Sequence, residues 1–193
     1  MIPLWIKISY TVFAVITVAV YAVRYPPGNF FWFSDIALML TVPALWLESS
    51  LLASMLSVGV LLPEVFWNFG YFLRLLTGRR LTGLTDYMFD ATRPRYLRAL
   101  SLFHVFLPGL LLWMVSRLGY APEALLVQTI VAWIVLPMTY VFVDPKLNVN
   151  WVRGPGSEKG QWLPPLAHLA LLMIGFPLLV HLPSHLLLQA LFR

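Results

Sequence analysis

The sequence predicts an all-α, polytopic integral membrane protein: a bundle of about six transmembrane helices in one domain over residues 1–193. Three observations predict this fold class. Hydrophobic residues make up 60% of the chain, charged residues make up 11%, and the mean hydropathy is +0.81. A soluble domain contains roughly 45–50% apolar and about 25% charged residues. A water-soluble core of this size does not need so much apolar surface, whereas a bilayer accommodates it.

Six apolar segments reach, or nearly reach, the roughly 20 residues that a helix needs to cross a bilayer. They are residues 4–23, 30–47, 51–73, 99–118, 121–143 and 163–192. None alternates apolar and polar residues as barrel strands do, so we predict helices. The second segment is short, and the sixth is long enough to tilt or to bend at Pro177 and Pro183.

Turn-forming residues separate these segments. Residues 25–29, Tyr-Pro-Pro-Gly-Asn, form the first turn cluster. Glu48-Ser49-Ser50 predicts a tight hairpin, and residues 119–122 end one helix before the next begins. Two connections are longer, at residues 75–98 and 144–162. Within the first, residues 81–89 are amphipathic and are expected to lie along the membrane interface.

Lysine and arginine are distributed unevenly between the two sides of the predicted bundle. One side holds Lys7, Arg117 and Arg193, whereas the other holds Arg24, Arg74, Arg79, Arg80, Arg93, Arg95, Arg98, Lys146, Arg153 and Lys159. Positively charged loops remain in the cytoplasm, so we expect cytoplasmic arginine-rich loops and outside termini in a plasma or inner membrane. Membrane lipids are the expected partners, with anionic lipid near the arginines. Nucleic acid is not expected, because the basic residues do not form one exposed stripe.

The chain contains no cysteine, which excludes thiolate nucleophiles, disulfides and cysteine metal sites. His181 and His185 stand at i and i+4, a spacing that suits a metal ion. Pro183 lies between them, however, and no acidic residue completes the motif, so an interfacial role is the favoured interpretation. We expect no metal and no cofactor.

Ionisable residues within the predicted spans indicate where function resides, because they are costly in lipid and usually face a bundle interior. Asp35, Glu64, Asn68 and His104 are expected about 6–15 Å below the arginine-rich side, at about 1.5 Å per residue. Glu64 and Asn68 share one helix face at i and i+4. His104 precedes Pro108 by one turn, so its carbonyl lacks the usual helical donor and is free for water or a neighbouring side chain.

Asp35, Glu64, Asn68 and His104 have two interpretations. Together with His168 they form a buried network of acid, base and hydrogen-bonding groups, or they join helices by hydrogen bonds worth about 0.6–2 kcal/mol each. In the second case Asp35 serves only as an acidic group near the positive end of its helix.

A second polar group is predicted near the same side. Asn150, Trp151 and Arg153 belong to a loop that is expected to fold back and bind a lipid headgroup. Tyr140 and His168 lie in the adjacent predicted spans, about 6–8 Å from the same side. Together with Asn68 these residues are the predicted substrate-binding set. The alternative is an ordinary polar loop that carries an interfacial tryptophan.

The order of these features resembles a known family. Phe33-Ser34-Asp35 at the start of the second span and His104-Val105-Phe106-Leu107-Pro108 in the fourth are similar to the six-span androgen-induced membrane hydrolases, which cleave fatty-acid esters of hydroxy fatty acids. Asn148-Val149-Asn150-Trp151 before a proline-containing last span is also similar to YwaF-type bacterial membrane proteins and their ether-lipid acyltransferase relatives.

This resemblance implies lipid-ester chemistry in which His104 is the general base. The hydrolases use a threonine where this chain has Trp32, and the cysteine of the acyltransferases has no counterpart here. Ser34 is therefore the candidate nucleophile, and Asp35 or Glu64 is the candidate group that orients the imidazole.

Three functions remain open from the sequence. The leading hypothesis is a lipid-ester hydrolase or acyltransferase with a membrane-embedded histidine. The second is a transporter or binding protein for a small solute or lipid, in which Glu64 takes up and releases a proton. The third is a structural membrane subunit whose polar residues join helices or bind a partner.

Overall fold

The computed structural model describes residues 1–155 and 163–192, which form mainly helices. The α-helices in this part of the chain are α1 (Leu4–Arg24), α2 (Phe33–Trp46), α3 (Ser50–Thr77), α4 (Asp86–Phe89), α5 (Arg95–Leu100), α6 (Phe103–Leu118), α7 (Ala124–Phe142), α8 (Pro165–Gly175) and α9 (Leu182–Phe192). Short 3₁₀ segments lie at Pro27–Phe31, Gly83–Thr85, Pro145–Leu147 and Val149–Trp151, and a π-helical segment at Phe176–His181 joins α8 to α9.

The predicted fold class is confirmed. Within the described residues, five helical stretches are long and apolar enough to cross a membrane: Leu4–Arg24, Ser50–Thr77, Arg95–Leu118, Ala124–Phe142 and Pro165–Phe192. The sixth, α2, has 14 residues and is therefore about 21 Å long, shorter than the roughly 30 Å hydrocarbon core. The predicted second span began at residue 30, whereas the α-helix begins at Phe33 because a 3₁₀ segment precedes it.

Helix α3 lies at the centre of the bundle and packs against α2, α6, α7 and α9. Twelve of its 28 residues are buried, whereas only four of the 21 residues of α1 are. Small residues such as Ala53, Ser57 and Gly59 lie on the buried part of α3. Small side chains allow helix backbones to approach closely in a membrane, so α3 contacts four neighbours at once.

The last span changes helix type near the predicted bend. The chain is α-helical to Gly175, forms the π-helical segment that contains Pro177, and resumes as α9, which carries Pro183 in its first turn. Proline lacks the N–H that an α-helix requires, and a wider turn is one way to accommodate it.

The predicted amphipathic stretch at residues 81–89 is not one helix. It divides into the 3₁₀ turn Gly83–Thr85 and the four-residue α4, in which Met88 is buried. Asp86 holds α4 against the end of α3 through ion pairs with Arg74 and Arg80. We call the end of the bundle that carries Arg74, Arg80 and α4 the arginine-rich face. Lys159 and Arg193, which contributed to the predicted orientation, lie outside the described residues.

Candidate functional site

Glu64 of α3 and His104 of α6 form a hydrogen-bonded pair inside the bundle. The Nδ1 atom of His104 lies 2.8 Å from Oε2 and 3.0 Å from Oε1 of Glu64. The side chains are 3% exposed for Glu64 and 13% exposed for His104. A carboxylate bound at Nδ1 orients an imidazole and leaves Nε2 as the nitrogen that can accept a proton.

Asn68 connects the backbones on both sides of this pair. Its Nδ2 atom donates to the carbonyl of Glu64 at 2.8 Å and to the carbonyl of His104 at 2.6 Å. The carbonyl of His104 lacks its helical donor because residue 108 is proline. The prediction that a neighbouring side chain or a water satisfies this carbonyl is thus confirmed, and the side chain is Asn68.

Aromatic rings enclose the imidazole of His104. The Trp67 ring stacks on it with centroids 4.6 Å apart and an interplanar angle of 22°, and the ring of Phe103 lies 4.1 Å away. Trp67 is itself buried and stacks on Tyr71 at 5.2 Å. These stacked rings restrict the rotation of the His104 imidazole.

Asp35 brings a second carboxylate to this region from the first turn of α2. It is 5% exposed and accepts a hydrogen bond from the Asn29 side chain at 3.0 Å. Asp35 also interacts electrostatically with both His104 and Glu64. The structure therefore joins Glu64 and His104 by direct contact, whereas Asp35 interacts with them only electrostatically; the roles predicted for all three residues stay predictions.

A group of hydroxyls that the sequence did not single out is linked to the pair through Trp67, whose ring contacts both Tyr87 and His104. The Tyr21 hydroxyl is 2.9 Å from Oγ of Ser101, and Ser101 also donates to the Leu97 carbonyl at 3.1 Å. The Tyr87 hydroxyl approaches Ser101 and Trp67, and burial raises the pKa of Tyr87 well above its usual range, so it remains protonated. Ser101 stands three residues before His104, and that helical spacing was the one signal available for it.

Ser34, the predicted nucleophile, is half-buried in the first turn of α2. Within the described part of the chain it has no hydrogen bond with His104, whose Nδ1 is bound to Glu64. The structure thus pairs His104 with Glu64 and not with Ser34, and the nucleophilic role of Ser34 stays a prediction.

The predicted loop group forms a separate structural unit. Asn150 is 3% exposed; its side chain accepts from the N–H of Phe33 at 3.3 Å and donates to the Phe31 carbonyl at 2.8 Å. These bonds satisfy main-chain groups at the start of α2, where the helix has no internal partners. Asn150 therefore fixes the start of α2 through these two hydrogen bonds. Its backbone is in the left-handed region, with a φ of 52°.

The remaining predicted binding residues also contact main-chain atoms. Arg153 donates to the Tyr140 carbonyl at 2.6 Å, and its guanidinium lies 4.2 Å from the centroid of the Tyr140 ring. The Nε2 atom of His168 donates to the Trp151 carbonyl at 3.0 Å, and the Trp151 ring contacts Trp32 at 5.6 Å. Of the predicted substrate-binding set, the structure places only Asn68 in contact with Glu64 and His104.

His181 and His185, the pair with metal-like spacing, have different neighbours. His181 is fully buried with Nδ1 3.5 Å from the Thr129 hydroxyl, whereas Nδ1 of His185 is 2.6 Å from the Tyr120 hydroxyl. Among residues 1–155 and 163–192, no group of three or more histidine, cysteine, aspartate or glutamate side chains is placed to hold a metal ion.

The arrangement at Glu64 and His104 can perform proton transfer. A carboxylate fixes one imidazole nitrogen, the Trp67 ring stacks on the imidazole, and a second carboxylate, that of Asp35, interacts with it electrostatically. Such a pair accepts a proton from a hydroxyl and returns it to a leaving group.

Comparison of the chain with protein-family models, curated proteins and solved structures finds no match.

Proposed function

We propose that this membrane protein hydrolyses or transfers the acyl group of a lipid ester, with His104 as general base and Glu64 as the residue that orients it. The observation that carries the proposal is the 2.8 Å contact between Glu64 and Nδ1 of His104 inside an apolar helical bundle. A carboxylate–imidazole pair activates hydroxyl nucleophiles in many acyl-transfer enzymes. Membrane lipids can reach a site among membrane-spanning helices directly from the bilayer.

The proposed reaction requires only a water molecule or an acceptor alcohol. The hydroxyl oxygen attacks the ester carbonyl carbon while its proton passes to Nε2 of His104. The tetrahedral intermediate then expels the alkoxide, which takes that proton from the imidazolium and leaves as an alcohol. Water yields a free fatty acid, and an acceptor alcohol yields a new ester. Glu64 holds the imidazole in orientation and stabilises its protonated form.

Other groups at the site support this chemistry. Asp35 interacts electrostatically with His104 and favours the imidazolium that forms during attack. Trp67 stacks on the imidazole and maintains its orientation. We also propose that the arginine-rich face is cytoplasmic, since positively charged loops remain on that side.

The direct test is turnover of acyl lipids by the purified full chain in detergent micelles. The panel contains a diacyl phospholipid, a lysophospholipid and a fatty-acid ester of a hydroxy fatty acid, and released fatty acid is quantified by mass spectrometry. We expect one class to be cleaved and His104→Ala to lower the rate by about 10²-fold or more. Glu64→Gln retains a hydrogen-bonding oxygen but loses the charge, so a smaller loss is expected.

The matched control is His185→Ala, which removes an imidazole next to Tyr120 instead of Glu64. This variant is expected to turn over lipid at the wild-type rate. The proposal is wrong if the wild-type chain cleaves no lipid of the panel, or if His104→Ala leaves its rate unchanged.

A second candidate is proton-coupled movement of a solute, favoured by the two buried carboxylates that interact with one imidazole. In that case Asp35→Asn and Glu64→Gln each abolish pH-driven uptake into proteoliposomes, and fatty acid is not released. The two assays therefore distinguish the candidates.

A further inference from the structure

An open cavity of about 570 Å³ lies at the arginine-rich face, outside the Glu64–His104 pair. Arg74, Arg80 and Arg93 line it, so we call it the arginine cavity. Its volume is within the roughly 300–1,000 Å³ of pockets that hold small molecules, and it exceeds what water alone requires. Because three guanidinium groups face one space, the chemistry of the cavity is that of an anion site.

The charges of the arginine cavity do not cancel. Two carboxylates, Asp86 and Asp90, share the lining with the three arginines. Asp86 binds both Arg74, at 2.5 Å, and Arg80, so one carboxylate serves two guanidinium groups. Each guanidinium has five N–H donors, and most of these remain available after one ion pair. The lining therefore retains positive charge and free donors.

Arg93 has the longest ion pair of the three cations. Its Nε atom is 3.9 Å from Asp90, a long ion pair, and its Nη1 atom is 3.4 Å from the Tyr25 hydroxyl. Asp90 is already engaged, since it accepts from the N–H of Thr92 at 2.9 Å and from the Thr92 hydroxyl at 2.6 Å. The side chain of Arg93 is 42% exposed, and that of Arg80 is 62% exposed.

Aromatic rings form the inner wall of the arginine cavity and fix its cations. The guanidinium of Arg74 lies 4.5 Å from the centroid of Phe89, and that of Arg93 lies 5.7 Å from the centroid of Tyr87. Tyr87 in turn contacts Trp67, the ring that stacks on His104. Cation–π contacts of this kind restrict guanidinium motion, so less conformational entropy is lost when an anion binds.

Exposed apolar side chains flank the cavity arginines along the chain. Leu75 is 53% exposed and Leu76 is 80% exposed directly after Arg74, and Leu81 is 42% exposed directly after Arg80. Apolar and cationic side chains in alternation are typical of the boundary between acyl chains and headgroups. The phosphate of a membrane lipid lies at this boundary, above its acyl chains.

We propose that the arginine cavity binds a phosphate group, either the headgroup phosphate of an anionic lipid or free inorganic phosphate. Guanidinium groups bind phosphate oxygens through paired, charge-assisted hydrogen bonds, and a phosphate monoester supplies the charge that the lining lacks. This proposal does not depend on the catalytic one, since it concerns binding at a different set of residues.

The test measures binding to the full-length chain in a phosphate-free non-ionic detergent by isothermal titration calorimetry. The probes are dioctanoyl phosphatidic acid, dioctanoylglycerol, which lacks the phosphate, and inorganic phosphate. We expect phosphatidic acid to bind at least about tenfold more tightly than dioctanoylglycerol. The difference is expected to decrease as salt is raised, since exposed charges are screened.

The decisive variant is Arg80→Gln with Arg93→Gln, and its matched control is Arg79→Gln with Arg95→Gln. Both remove two positive charges from the same face, but Arg79 and Arg95 do not line the cavity. We expect the first pair to weaken phosphatidic acid binding by about tenfold or more and the second by less than about twofold. Unchanged helicity by circular dichroism establishes that both double variants are folded.

The probes also identify the source of the phosphate. Phosphatidic acid binding that millimolar inorganic phosphate does not displace assigns the cavity to lipid, and full displacement assigns it to free phosphate. The proposal is overturned if neither phosphatidic acid nor inorganic phosphate binds, or if dioctanoylglycerol binds as tightly as phosphatidic acid. It is also overturned if the two double variants bind phosphatidic acid with the same affinity. His104→Ala is expected to bind phosphatidic acid normally, which separates this result from the outcome of the turnover assay.

Discussion

The side-chain amide of Asn68 donates a hydrogen bond to the main-chain carbonyl of His104 across 2.6 Å. Helix α6 cannot satisfy this carbonyl itself, because residue 108 is proline and has no N–H. Asn68 is also one turn after Glu64 on α3 and donates to the Glu64 carbonyl. One amide therefore fixes the backbones of the two helices that carry the acid–base pair.

Removal of the Asn68 amide is expected to destabilise the fold. Asn68→Ala leaves the carbonyl of His104 unsatisfied in an apolar interior, at a cost of about 1–3 kcal/mol in the free energy of unfolding. Pro108→Ala restores an N–H that can bind the same carbonyl. In that background Asn68→Ala should cost clearly less, which is measured by a double-mutant cycle of unfolding in mixed micelles. Equal costs in both backgrounds contradict this explanation.

Loss of one member of the Glu64–His104 pair is expected to cost more than replacement of both. Glu64→Leu or His104→Phe alone leaves a buried polar group without its partner, at about 3–5 kcal/mol. The double variant replaces the pair with apolar side chains, so it should be more stable than either single variant. Thermal unfolding in detergent gives all four values, and strictly additive losses argue against direct coupling.

Local regularities explain which parts of the site were predictable from sequence. Long apolar runs predict membrane-spanning helices, because in lipid the backbone N–H and C=O groups must bond to each other and a helix satisfies them within one segment. The shared face of Glu64 and Asn68 follows from helical spacing, and the unsatisfied carbonyl of His104 follows from Pro108. Each of these inferences uses residues within one helix.

The contacts between helices could not be predicted from the sequence, because they depend on how the helices cross and rotate against each other. The bond between Tyr21 and Ser101 joins residues 80 positions apart, and no local pattern predicts it. Asn150 was predicted as a headgroup ligand, yet the left-handed conformation at Asn150 turns its amide toward the start of α2. The approach of helices depends on small residues of α3, whose partners one sequence does not identify.

Gly59 of α3 is expected to be required for the packing of α3 against α7. A Cβ at this position would collide with the side-chain amide of Gln128, which is 3% exposed. Because Gln128 is buried, its amide has little room to move aside, so the strain in Gly59→Ala should exceed the roughly 1 kcal/mol that alanine gains in helix propensity and leave this variant less stable than the wild type. Gln128→Ala in the same chain should recover part of that loss. Gly109→Ala is the matched control, since nothing lies within 4 Å of its Cβ and alanine favours a helix by about 1 kcal/mol. If both glycine variants are equally stable, the close approach is not needed.

Glu48 is expected to make stability depend on pH. Its carboxylate accepts from Nζ of Lys7 at 2.7 Å and from the N–H of Ile2 at 3.1 Å, which joins the start of α1 to the turn between α2 and α3. The Lys7 hydrogen bond is the main reason that the pKa of Glu48 lies below its usual value of 4.5. The folded state therefore binds this proton more weakly than the unfolded state, so the contribution is complete above pH 4.5 and is lost as pH falls through the folded pKa.

Glu48→Gln should accordingly be less stable than the wild type at neutral pH. The difference in stability should shrink as the pH falls below the pKa of the Glu48 carboxyl in the unfolded state. Thermal unfolding in detergent over this pH range measures the difference. Lys7→Met removes the partner, so adding it to Glu48→Gln should change stability little more at neutral pH. A difference between wild type and Glu48→Gln that stays constant down to about pH 3 is incompatible with the ion pair as its source.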